Sequence, residues 1–200
     1  MAGKGTQHAK ISAIILAAGK SSRMGDFKLL LPLGDRTIIG TTVANVLGAA
    51  FSETIVVTGH RHADVAAGLP VNVHTVHNAA FADGMSTSLQ AGVKAARSDT
   101  DAYLFCLGDM PMVKTATLLA IGQASAGSNA IIVPNHDNRD GNPVLFGCDY
   151  RNEILQLTGD AGAKQIISAH TGNVVRIDID EPGIFQDIDT AVDYEDVLGQ

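Results

Sequence analysis

Residues 16–28 carry the densest chemistry in the chain: Leu16-Ala17-Ala18-Gly19-Lys20-Ser21-Ser22-Arg23-Met24-Gly25-Asp26-Phe27-Lys28. Small residues let backbone N–H groups approach phosphate oxygens, and Lys20, Arg23 and Lys28 offer positive charge. The stretch follows the apolar, strand-like run Ile11-Ser12-Ala13-Ile14-Ile15-Leu16. A strand opening into a cationic small-residue loop suits a polyphosphate. Neither common phosphate fingerprint is present. The P-loop needs Lys and Ser or Thr directly after its second glycine, but Asp26-Phe27 follow Gly25, and GxGxxG is absent. Lys28 is placed to reach an α-phosphate, and the planar fork of Arg23 to hold the outer phosphates.

Two acidic clusters stand where such a loop would need them. Tyr103-Leu104-Phe105-Cys106-Leu107-Gly108 is an apolar strand that ends on Asp109. A carboxylate there suits Mg²⁺, which combines few protein oxygens with waters and phosphates. The alternative is Asp109 as N-cap of the next helix. In Asp187-Ile188-Asp189-Thr190, the two acids lie two apart, so an extended chain points both to one side. Asp189 is the favoured second metal ligand, with helix capping by Asp189 or Thr190 as the alternative.

The elements that must carry these residues alternate strand-like and helix-like patterns. Helices are expected over 37–50, 61–67, 84–96, 115–123, 161–169 and from about 191 to 198. Strands are expected over 11–16, 55–58, 71–76, 102–107, 130–134, 142–146 and 174–179. Such alternation predicts an α/β fold of three layers, α/β/α, with a mostly parallel sheet whose ligands gather at the strands' carboxyl ends. We expect a flexible tail over 1–10 and one domain over 11–200.

Composition narrows the partners. The 200 residues are 46% hydrophobic and 18% charged, which reads as globular. The net charge of −7 and the absence of tryptophan speak against nucleic acid and anionic membranes as partners. No apolar run reaches the roughly 18 residues of a membrane span. Cys106 and Cys148 sit in apolar runs and read as buried reduced thiols of a cytoplasmic protein. His60 and His62 lie two apart after a strand, but no matching ligand pair follows, so they read as loop or helix-start residues.

LAAGKSSRMGDFK resembles the signature loop of the molybdenum-cofactor guanylyl- and cytidylyltransferases, nucleotidyltransferases of Rossmann-like fold. LAAG, rather than LAGG, resembles the cytidylyl branch, as do Gly84-Met85-Ser86-Thr87-Ser88-Leu89 and the Asp-x-Asp-Thr segment. The resemblance implies CTP (or another NTP) as donor and a phosphorylated acceptor, molybdopterin. It also implies Mg²⁺ as cofactor and delivery to a molybdenum hydroxylase. It places nucleotide contacts at Leu16, Ala17, Ala18, Gly19, Ser22, Arg23, Lys28, Thr58, Gly84, Ser88 and Gly108, and catalysis at Lys28, Arg23 and Asp109. On chemistry alone, 84–88 reads equally as an ordinary capped helix start. The family's acceptor segments carry Gly-His-Pro and Asp-x-Gly-Ala-Arg, where this chain has Asn142 and Lys164. Those departures leave room for another phosphorylated acceptor. GTP as donor, or a non-catalytic carrier of a pterin cofactor, are the alternatives to CMP transfer. An NAD(P)-binding domain lacks its fingerprint here.

Overall fold

Seven uncharged residues, Ile11–Ala17, form β1, the middle of the sheet. The computed structural model describes residues 9–20, 24, 27–71, 73–160 and 162–199. The first eight residues of the expected tail therefore lie outside the described residues. After β1 come a hairpin of β2 (Pro32–Leu33) and β3 (Arg36–Thr37), then α1 (Ile38–Gly48), β4 (Glu53–Thr58), α2 (His62–Ala67) and β5 (His74–His77). Next are α3 (Met85–Ala95), β6 (Ala102–Leu107), α4 (Thr115–Gln123), β7 (Ile131–His136) and β8 (Arg139–Asp140). The chain ends through β9 (Val144–Gly147), α5 (Arg151–Ile154), α6 (Lys164–Ala169), β10 (Val174–Asp178) and α7 (Ala191–Leu198).

The sheet order is β10-β7-β9-β6-β1-β4-β5, with β8 paired to β7. β5, β4, β1 and β6 run parallel, as do β7 and β10. β9 is antiparallel to both of its neighbours, because only a few residues separate it from β8, too few for a crossover. Alternation along β1 sends Ala13, Ile15 and Ala17 to one face, against α1, α2, α4 and α7. Ile14 goes to the other, against Leu89 and Val93 of α3, Ile154 of α5 and Ile166 of α6. Helices thus cover both faces, as the sequence pattern predicts.

β6 and α4 have the expected bounds. The strand expected at 71–76 starts later, at His74, because it pairs only with Ile55–Thr58, and Val71 stands fully exposed. The strand expected over 130–134 continues to His136 and turns back through Asp137 (φ 51°) and Asn138 (φ 63°). Successive positive φ values at the turn are what a tight hairpin needs, and Asp and Asn tolerate them. The helix expected from 161 begins at Lys164, and residue 161 lies outside the described residues. Cys106 is buried, which pushes its thiol up to about 12, while Cys148 is only half-buried; both are free thiols. No helix among the described residues is long and apolar enough to cross a membrane.

Candidate active site

Register lines up the strand ends. Leu16 pairs with Leu107 and Ala17 with Thr58, so the chain leaves β1, β4 and β6 at one edge. Two backbone bonds extend that edge into the loops: Gly108 N–H donates to Leu16 O (2.9 Å) and His60 N–H to Ala18 O (3.2 Å). Gly108 has no room for a side chain, since a Cβ would fall 2.9 Å from Leu16 O. Thr42 of α1 donates to the Gly108 carbonyl at 3.1 Å. β6 is thereby held against β1 up to the residue before Asp109.

Lys28 heads a short 3₁₀ turn, Lys28–Leu30, and is itself buried. Its Nζ donates to Asp109 Oδ2 and to Asp189 Oδ1, each at 2.6 Å. Side-chain exposure is 11% for Lys28, 21% for Asp109 and 37% for Asp189, so the cluster opens toward solvent on the Asp189 side. Burial works against the Lys28 ammonium, but Asp109 and Asp189 outweigh it and hold its pKa above the ordinary lysine value. Burial raises the Asp109 carboxyl above the usual carboxylate range, Lys28 opposes the rise, and Asp187 adds slightly to it. Both partners of this pair therefore shift upward, because burial is the larger influence on the carboxylate and its lysine partner offsets only part of that.

The segment bearing Asp189 is tied to the strand end through its backbone: Ile188 N–H donates to Asp109 O at 3.0 Å, and Ile188 is fully buried. Asp187 is exposed, whereas Asp189 turns onto Lys28. Capping does not account for either acid. The helix after Asp109 begins at Thr115 with Lys114 at its N-cap, and α7 is capped by Thr190 in a reciprocal box with Asp193.

Two carboxylate oxygens gathered on one point at a strand end are a donor set that fits a hard divalent cation bound jointly with substrate phosphates. Among the described residues, no group of three or more His, Cys, Asp or Glu gathers to hold a metal on protein ligands alone.

The other sequence-predicted positions fall as follows. Leu16 is half-buried, Ala17 and Ala18 are buried and Gly19 is exposed, along the stem of the loop. Ser22 and Arg23 lie outside the described residues. Thr58 is buried, with its hydroxyl shared between His62 Nδ1 (2.7 Å) and the Val76 carbonyl (3.2 Å). Ser88 is buried and accepts from Asn78 Nδ2 at 3.0 Å. Asn142 donates its N–H to Ile184 O at 3.0 Å, and Lys164 is exposed at the start of α6.

Gly84 (φ 111°) precedes α3 and packs on the Gly159-Asp160 turn, which takes two amides of the helix start. Met85 N–H donates to Asp160 Oδ1 and Ser86 N–H to Gly159 O, each at 3.1 Å. A Cβ on Gly84 would lie 2.6 Å from the Gly159 carbonyl carbon. Gly84→Ala is therefore expected to cost at least about 2 kcal/mol, from strain at positive φ and from the clash. The melting temperature should fall by roughly 4–8 °C; an unchanged value in thermal denaturation would show that the turn yields freely.

Residue type and spacing do not set apart Phe27, His60 and Phe81, which lie in three separate segments. Yet their rings meet beside the loop stem, with His60 edge-on to Phe27 (5.6 Å) and tilted against Phe81 (6.1 Å).

A lysine stands between two carboxylates at the carboxyl edge of the sheet, and the fold that carries them is shared by solved structures, one of them a nucleotidyl transferase. A nucleotidyl transferase from Methanothermobacter thermautotroptrophicus superposes with a TM-score of 0.82 at 31% identity, over 95% of this chain and 96% of that one. The Mycobacterium tuberculosis H37Rv protein Rv0371c superposes at 0.87 with 27% identity over 97% and 100%, and its structure in complex with manganese at 0.81. The chain belongs to the MobA-like NTP transferase domain family, whose model matches residues 13–174. It is 31% identical to the molybdenum cofactor cytidylyltransferase of Escherichia coli K12 over 186 residues, covering 92% of this chain and 93% of that protein.

Proposed function

We propose that this nucleotidyltransferase moves CMP from CTP to the terminal phosphate of molybdopterin, releasing pyrophosphate. The observation that carries the reading is the convergence of Lys28, Asp109 and Asp189 at the end of a signature loop. The likeness to the Escherichia coli cytidylyltransferase along nearly the whole chain supports the choice of donor and acceptor.

In this reading an acceptor phosphate oxygen attacks the α-phosphorus of CTP in line, a P–O bond forms, and the α–β P–O bond breaks as pyrophosphate leaves. No general base is required, because a phosphate monoester with a second pKa near 6 is already largely the dianion at neutral pH. Lys28, released onto the α-phosphate, offsets the charge that develops there. Arg23 holds the outer phosphates, and the amides after Leu16 line their path. Asp109 and Asp189 would hold a divalent cation, which supplies charge neutralisation and a template for the triphosphate. Gly84, Ser88 and Thr58 shape the surroundings of the base, while Asn142 and Lys164 face the acceptor. Neither Asn142 nor Lys164 matches the family's His and Arg, which favours, as a second reading, transfer to another phosphorylated acceptor.

Thermal denaturation with each of the four nucleoside triphosphates and Mg²⁺ tests the donor. CTP at about 100 times its Kd should raise the melting temperature by roughly 5–10 °C, the others by much less. A larger shift with GTP would overturn the base assignment and keep the reaction class.

A further inference from the structure

His60 has no part in the chemistry above, yet it touches both ends of the loop that carries it. Its backbone N–H holds the Ala18 carbonyl at the end of β1. Its ring meets the edge of Phe27, the residue before Lys28, at 5.6 Å and 63°. On its other side it leans on Phe81 at 6.1 Å. Cations close the stack at both ends: Lys20 Nζ stands 5.8 Å from the Phe81 ring centre, and Arg61 Cζ 5.3 Å from that of Phe27. The order Lys20, Phe81, His60, Phe27, Arg61 places three rings in a row between two cations.

The backbone around His60 is shaped to reach this position. Gly59 is buried, and a Cβ there would lie 2.6 Å from Phe81 Cβ and 2.8 Å from Ala18 Cβ. Arg61 takes a left-handed conformation, φ 52°, that side chains other than glycine seldom adopt. Phe27 is buried, and its carbonyl accepts from Leu30 N–H (3.1 Å) to close the turn that carries Lys28. A shift of Phe27 therefore moves Lys28.

We infer that His60 is a positioning residue for Lys28: bridging Ala18 and Phe27, it fixes the distance between the two stems of the phosphate loop and so aims the lysine. The inference rests on the proposed role of Lys28 on the α-phosphate. The contact is through the ring, so its shape and not its nitrogens should matter.

Three variants and two readouts test it. His60→Ala should lower kcat for pyrophosphate release about tenfold, since small misplacements of a reacting group are costly, with KM for the nucleotide within about twofold. The half-buried site should leave the melting temperature near that of the wild type. His60→Phe should restore most of kcat, while His60→Asn, which keeps polarity without the ring, should not. The second readout needs no turnover: acetylation of Lys28 by acetic anhydride, followed by mass spectrometry, should be faster in His60→Ala than in wild type. Lys10, far from the stack, should label equally in both. Wild-type kcat and wild-type labelling in His60→Ala would overturn the inference, as would a kcat loss that His60→Phe leaves unrepaired. If the wild type releases no pyrophosphate with any nucleotide, the proposed function fails, and the labelling arm still decides the role of His60.

Discussion

Asp109→Asn is expected to lower turnover by about 10³-fold while leaving the fold intact. The carboxylate sits at the end of β6, held in place by the Gly108–Leu16 bond behind it and the Ile188–Asp109 bond beside it, so its neighbours do not collapse when its charge is removed. Asparagine keeps the shape and one oxygen but loses the charge a divalent cation needs. Stability should change little. Lys28 between two carboxylates leaves one negative charge in excess; the variant leaves a balanced Lys28–Asp189 pair. Burial already disfavours the Asp109 carboxylate, so its replacement removes an unfavourable contribution as well as a favourable one. Pyrophosphate release and circular dichroism check the two halves. Turnover like that of the wild type would remove Asp109 from the site.

Lys28→Met, in contrast, is expected to lose stability as well as activity. Turnover should fall by about 10²–10³-fold, because in the proposed transfer the charge developing at the α-phosphoryl group loses the Lys28 ammonium. The two carboxylates that shared the ammonium at 2.6 Å each then face one another unneutralised. At an effective dielectric constant near 20, two charges a few ångströms apart cost on the order of 3 kcal/mol. Partial exposure of Asp189 reduces that to about 2 kcal/mol, or a fall of roughly 4–8 °C in melting temperature. The pH dependence has a definite sign. Asp109 already has a folded pKa above its unfolded value, and losing Lys28 raises it further. The deficit should therefore open as pH rises past the ordinary carboxylate range and close below it, where the carboxyl takes up a proton. Adding Asp109→Asn to Lys28→Met should recover part of the lost stability, since one of the two repelling charges is then gone. A double variant no more stable than Lys28→Met would show that the cluster is not held by charge.

Much of this was legible in the sequence because it is local. The apolar runs of β1 and β6, the helical spacing of α1 and α4, and the acid after Leu107-Gly108 are each set by near neighbours in the chain. The choice between Asp187 and Asp189 is not local. Alternation sends both acids to one side, but burial of Ile188 and its bond to Asp109 O leave Asp187 in solvent and bring Asp189 to Lys28. The same holds for the start of α3, where Gly84-Met85-Ser86 reads on its own chemistry as an ordinary capped helix start, whose first amides would be left to a cap or a ligand. The Gly159-Asp160 turn, some 75 residues away, occupies two of them. His60 reads as a loop or helix-start residue, and only the meeting of three segments gives it Phe27 and Phe81 as neighbours. Thr58 ends a strand as expected, but its hydroxyl is taken by His62, which stacks on His77, and by the Val76 carbonyl.

The most direct test is pyrophosphate release by the wild-type protein with Mg²⁺ and molybdopterin, compared across CTP, GTP, ATP and UTP. Release with CTP alone, dependent on molybdopterin, is the predicted result. Release with no nucleotide, from protein that binds CTP in the thermal assay, would contradict the assignment of the acceptor. Failure to bind any nucleotide would contradict the transfer reaction itself.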